Sequence, residues 1–204
     1  MNTKFAAALC CAAAFIGATP AEAAKIYAAT LSGGAEHPAV VTGGSGSALA
    51  TINNALSSLT LSVVFFGLTG RDKSATINCC SLPSANAPIA FNLTGFPLNV
   101  KAGSYTHIFN LLSNATYTNP FRLANGGTAI SARNALIAGL DNSRGYINIG
   151  TTYKLAGEIR GQLSPLQAVP EPMEWAMLMI GSMVSGMMLR RQSRGRRQVK
   201  FVLA

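Results

Sequence analysis

The run Leu59-Thr-Leu-Ser-Val-Val-Phe-Phe66 alternates in character. Leu59, Leu61, Val63 and Phe65 fall on one face of an extended chain, and Thr60, Ser62, Val64 and Phe66 on the other. Successive strand side chains point to opposite faces, so this pattern predicts a β-strand rather than a helix. Outward from it, shorter stretches read the same way: Tyr27-Ala29-Leu31, Ser47 to Ile52, Ile89 to Leu93, Ser104 to Leu112, Tyr146 to Ile149 and Glu158 to Leu163. Turn-forming clusters separate them, among them Gly43-Gly44-Ser45-Gly46, Asn53-Asn54, Gly67 to Gly70 and Ser81 to Pro88. About seven short strands with turns between them predict an all-β, antiparallel sandwich over residues 24–168. One stretch departs from this rhythm. Ala129 to Leu140 places Ile130, Ala132, Ala135, Leu136, Ile137 and Leu140 as one short helix would, after Gly126-Gly127.

Composition agrees with a folded body. Of 204 residues 49% are hydrophobic and 11% charged, so enough apolar surface is available to offset the entropy of ordering. The net charge is +9, and its location matters. Residues 24–168 carry nine bases against four acids, and residues 169–204 six bases against two. The densest cluster, from Arg190 to Lys200, follows an apolar stretch and is not interleaved with aromatics. A nucleic-acid surface has a different pattern, so no nucleic-acid partner is expected.

The two ends read as addresses. In residues 1–23, Lys4 precedes the apolar run Phe5 to Ile16, Thr19-Pro20 breaks it, and Ala21-Glu-Ala23 offers a small-x-small cleavage site. This is the pattern of a secretory signal peptide cut after Ala23, which would carry Cys10 and Cys11 away. At the other end Val169-Pro170-Glu171-Pro172 precedes an apolar segment, Trp175 to Leu189, followed at once by Arg190 and Arg191. Residues 175–189 are expected to form a transmembrane helix of roughly 22 Å. Flanking residues and local thinning would make up the rest of a core of about 30 Å. Trp175 suits the outer interface and the arginines the cytoplasmic side.

That order of Pro-Glu-Pro, short Trp-led helix and arginine cluster, over residues 169–197, resembles the PEP-CTERM sorting signal of Gram-negative bacteria. The resemblance implies recognition by an exosortase-type membrane protease, cleavage near Pro-Glu-Pro, and association with exopolysaccharide or biofilm. The tail from Gln198 to Ala204 is longer than usual for that signal. The expected division is therefore a signal peptide at 1–23, a β domain at 24–168 and a sorting signal at 169–204. The protein would cross the inner membrane and reach the envelope, outer surface or matrix, anchored until processed. A plain single-pass anchor is the rival reading of the C-terminus.

The body has a resemblance of its own. Thr30-Leu-Ser-Gly-Gly-Ala-Glu36, Phe66-Gly-Leu-Thr-Gly70 and, most specifically, Gly157-Glu158-Ile159-Arg160-Gly161-Gln-Leu163 resemble the CHRD domain. Phe96-Pro97, Val100-x-x-Gly103-x-Tyr105 and Leu123-Ala-Asn-Gly-Gly127 match its bacterial branch. Over roughly residues 26–163 the resemblance implies an immunoglobulin-like β-sandwich, without implying an activity.

Bacterial members commonly carry Ala-His-Ile-His-Cys-Cys midway and Asn-Ile-His-Thr near the end, and three gathered imidazoles would suit copper or zinc. Here the segments read Ala75-Thr76-Ile77-Asn78-Cys79-Cys80 and Asn148-Ile149-Gly150-Thr151. All three histidines are replaced, so a metal site of that kind would be lost. His37 and His107 remain, the first in a turn and the second on a packed face with Tyr105 and Phe109. Cys79-Cys80 admit structural thiols, a vicinal disulfide, soft-metal binding or a redox role. Glu158 and Arg160, two apart on a strand, would share a face as a structural ion pair or a polar recognition strip. Four acids in the body form no carboxylate pair of glycosidase type, and Gly43 to Gly46 lacks the Lys-Ser/Thr of a phosphate loop. No enzyme and no cofactor are expected. The leading expectation is an exported, non-enzymatic envelope or matrix protein that contacts exopolysaccharide. The alternative is a secreted copper- or zinc-binding domain, or a metalloenzyme, with a degenerate histidine site.

Overall fold

The alternating run is a strand buried on the expected side. A computed structural model describes residues 24–166, so the expectations for the signal peptide, the Pro-Glu-Pro segment and the helix at 175–189 lie outside the described residues. β3 (Ser58–Phe66) buries Leu59, Leu61, Val63 and Phe65, while Val64 and Phe66 are exposed. It pairs along its length with β2 (Ser45–Ile52) and β6 (Gly103–Asn110), both antiparallel, with Leu61 opposite Ala50 and His107. β2 continues into β1 (Lys25–Ser32), and β1 lies beside β8 (Ile159–Pro165). β8 pairs with β7 (Gly145–Thr151), β7 with β4 (Asp72–Cys79), and β4 with β5 (Ile89–Asn92).

The all-β expectation holds. The ladders draw one eight-stranded antiparallel sheet, β5-β4-β7-β8-β1-β2-β3-β6, rather than the two separate sheets of an immunoglobulin-like sandwich. Its jumps from β3 to β6, β4 to β7 and β8 to β1 give Greek-key connections. The sheet curls until its outermost strands face each other. Phe91 on β5 lies 4.8 Å from Phe109 on β6, ring centre to ring centre, and the Tyr105 hydroxyl donates to the Thr94 carbonyl at 2.8 Å. The core lies inside the curl, with Leu61, Phe65, Ile77, Phe91, Ile147 and Leu163 almost wholly buried.

Two elements escape the sequence reading. β4 carries Asp72, Thr76 and Asn78 at buried positions, so it shows no alternation. Its neighbours bury both faces, which removes the polar-out signal on which period-two reading depends. α1 (Asn119–Ala124) has six residues and buries only Phe121, too short for a helical period; its mark is Thr118, whose hydroxyl accepts from the Phe121 amide. The expected helix is present as α2 (Ala129–Asp141). It is capped by reciprocal bonds between Thr128 and Ser131 and buries Ala132, Leu136, Ile137 and Leu140. Among the described residues no helix is long and apolar enough to cross a membrane.

Candidate functional site

The Gly157–Gly161 motif stands where the loop after β7 turns into β8, and its residues do different jobs. Ile159 is core. Gly161 lets β1 come close, since a β-carbon there would stand 2.9 Å from the Thr30 carbonyl oxygen. The Glu158 carboxylate is fully buried and takes four donors. One oxygen accepts from the Thr42 hydroxyl (2.5 Å) and the Thr69 amide (2.6 Å), the other from the Thr151 hydroxyl (2.6 Å) and the Gly70 amide (3.0 Å). Burial alone would raise its pKa; these four bonds prevail and hold it below the ordinary carboxylate value. Glu158 thus ties two loops, those after β1 and β3, to the end of β7.

Arg160 does not pair with Glu158, which corrects the expected ion pair. Among the described residues only Lys25 and Asp141 form a salt bridge. The Arg160 guanidinium donates to Asn86 Oδ1 and to the carbonyls of Pro83 and Ala85, each at 3.1 Å, and lies 3.5 Å from the centre of the Tyr146 ring. It is buried as a clamp on the Ser81–Pro88 loop. Period two would place residues 158 and 160 on one side, but Glu158 precedes β8 and takes its donors from Thr42, Thr69, Gly70 and Thr151. It cannot predict that hydroxyls and amides reach the carboxylate first.

Cys79 and Cys80 are joined to each other by a vicinal disulfide, one of the expected alternatives. α2 packs on the bridge through Gly139, where a β-carbon would fall 2.3 Å from Cys79 Sγ.

Glu36 is the contrast to Glu158. It sits in the loop after β1, is 6% exposed, and its Oε1 has no hydrogen-bond donor. Burial pushes its pKa up to about 7, against the opposing pull of Arg160. Glu36 lines a cavity of about 590 Å³ between the loop after β1 and the loop after β7. Asn78, Tyr146 and Asn148 line it from the sheet, with His37, Tyr153 and Lys154 on the loops. The Tyr146 hydroxyl accepts from the Ala87 amide, and Asn78 donates to the Ala87 carbonyl.

This chain belongs to the CHRD domain family. The family's profile matches residues 27–163. No curated protein and no solved structure matches the chain. Thr76, Asn78 and Gly150 stand where the resemblance leads one to expect histidines. Thr76 pairs with Asn148, and Gly150 is the next residue of β7 on that side, so these positions share one face of β4 and β7. Their present occupants do not fit copper or zinc. The Thr76 hydroxyl is spent on Asn78 Oδ1 at 2.6 Å, and a side chain at Gly150 would meet the Leu155 carbonyl oxygen 2.4 Å from its β-carbon. His37 stands at the cavity, whereas His107 on β6 stacks on Tyr105 and meets Phe109 edge-on. The domain's motif glutamates and arginine were legible from resemblance; Tyr146 and Asn148 were legible as strand residues but not as lining a cavity, and Thr152 to Ala156 carried no signal. The predicted sorting residues Val169, Pro170, Glu171, Pro172, Trp175, Arg190 and Arg191, and Ala21 and Ala23 of the signal, lie outside the described residues.

Proposed function

We propose that this chain is an exported, non-enzymatic protein of the bacterial envelope or matrix, delivered by its N-terminal signal and sorted by an exosortase through residues 169–197. Its CHRD domain contacts acidic exopolysaccharide at the mouth of the Glu36 cavity. The observation that carries the second part is the makeup of that mouth. Tyr153 is half exposed, and the Lys154 ammonium lies 5.5 Å from its ring centre with no carboxylate in salt-bridge range among the described residues. An aromatic face beside a free cation suits a sugar ring bearing a carboxylate. On the same footing, the curl is the family's sandwich with its two layers joined into one sheet.

Retention of the full chain on an acidic polysaccharide column tests the contact. Binding should weaken as salt rises and fall several-fold in Lys154→Glu, whose site is exposed. Failure to bind at low salt would refute it. Intact mass from the native host tests the sorting. A form running from near Ala24 to near Pro172 outside the inner membrane is expected; an arginine-tailed form confined to that membrane would mean a plain anchor.

A further inference from the structure

In the wall of the cavity two buried oxygens lie close together, neither with a donor. A β-carbon on Gly157 would stand 2.3 Å from Asn148 Oδ1 and 2.4 Å from Glu36 Oε1, so both crowd the same small space. Both are buried and neither has a partner. Asn148 cannot turn its amide to help, because Nδ2 already donates to the Ala156 carbonyl at 2.6 Å. Two buried acceptors in this arrangement are unfavourable unless a hydrogen lies between them, and the only group able to carry it is the Glu36 carboxyl.

We propose that Glu36 and Asn148 share one proton, as a carboxyl O–H donating to the amide oxygen, and that this bond latches the loop after β1 against β7 and Gly157. The charged groups around it leave it that role. Arg160 on β8 is committed to Asn86, Pro83, Ala85 and the Tyr146 ring. Glu158, next to Gly157, is saturated by its four donors. His37 on the same loop bonds the Pro83 carbonyl, and Lys154 lies over Tyr153. Burial that holds the Glu36 carboxyl protonated up to about pH 7 agrees with the geometry. Above that pH the carboxylate and the amide oxygen repel, and the wall of the cavity loosens. As a control on polymer binding this rests on the reading above; the shared proton itself does not.

The test is an NMR titration of the full chain from pH 5 to 9, following the side-chain carboxamide of Asn148 and amide exchange at Gly157. The Asn148 resonances should move along one curve with a midpoint near 7, and Gly157 exchange should rise beyond its ordinary base-catalysed increase. Glu36→Gln places a permanent N–H donor in the gap, so its Asn148 resonances should be flat with pH and Gly157 should stay protected. Asn148 resonances that do not move in the wild type would overturn the latch whether or not the variant folds. So would resonances that respond to added calcium in place of pH. An Asn148 transition accompanied by pH-independent polymer retention would uphold the latch and count against the cavity as the polymer's seat.

Discussion

Glu158 and Glu36 each stand in one of the family's motifs and are both withdrawn from water, yet they are held in opposite ways. Glu158 meets two hydroxyls and two backbone amides, and its pKa falls. Glu36 meets an amide oxygen and no donor, and its pKa rises to about 7. Burial raises both; four donors outweigh it at Glu158, whereas at Glu36 only the pull of Arg160 opposes it. One carboxylate builds the domain, and the other sits beside the cavity as a group the fold has left reactive to pH.

The largest effect expected from that difference is at Glu158. Replacing it by Ala strands the Thr42 and Thr151 hydroxyls and the Thr69 and Gly70 amides, and should cost on the order of 4 kcal/mol in urea unfolding at pH 7. A loss below about 1 kcal/mol would break the comparison. Arg160→Met comes next. It leaves the Pro83 and Ala85 carbonyls without their donor, and should cost about 2–4 kcal/mol and open the Ser81–Pro88 loop to proteolysis.

The pH profile of stability sharpens the comparison. Glu158 has a lowered pKa in the folded state, so its contribution is present above the ordinary carboxylate pKa and lost as pH falls through the lowered one. Glu36 has a raised pKa, so its contribution is full below 4.5 and is lost as pH rises towards about 7. Wild-type stability should therefore fall on both sides of a maximum in the mildly acidic range, by two different glutamates. Glu36→Gln should have the smallest effect, within about 1 kcal/mol at pH 5, and should be the more stable protein at pH 8, having removed the neutral-pH decline.

Much of this architecture could be read from the chain. Leu59 to Phe65 announced their strand because one of its faces is wet, and α2 announced itself through its apolar period after Gly126-Gly127. β4 was silent because both faces are covered and its polar residues are buried: Asp72 accepts from the Val100 amide, Asn78 donates to the Ala87 carbonyl, and Thr76 donates to Asn78 two residues on. The same limit governs the site. Resemblance singled out Glu36, Glu158 and Arg160, but their partners arrive from distant loops: Thr42, Thr69 and Thr151 for one carboxylate, the 83–86 carbonyl group for the guanidinium. Asn148 comes close to Glu36 only because β7 and β1 flank β8 in the sheet.

The most direct test is a carbon-detected titration of both carboxyl groups in one sample of the full chain. Glu158 should titrate below the ordinary carboxylate range and Glu36 near 7. Two midpoints together near the ordinary glutamate value would contradict the account, because the opposed partners would then have no effect on the charges they surround.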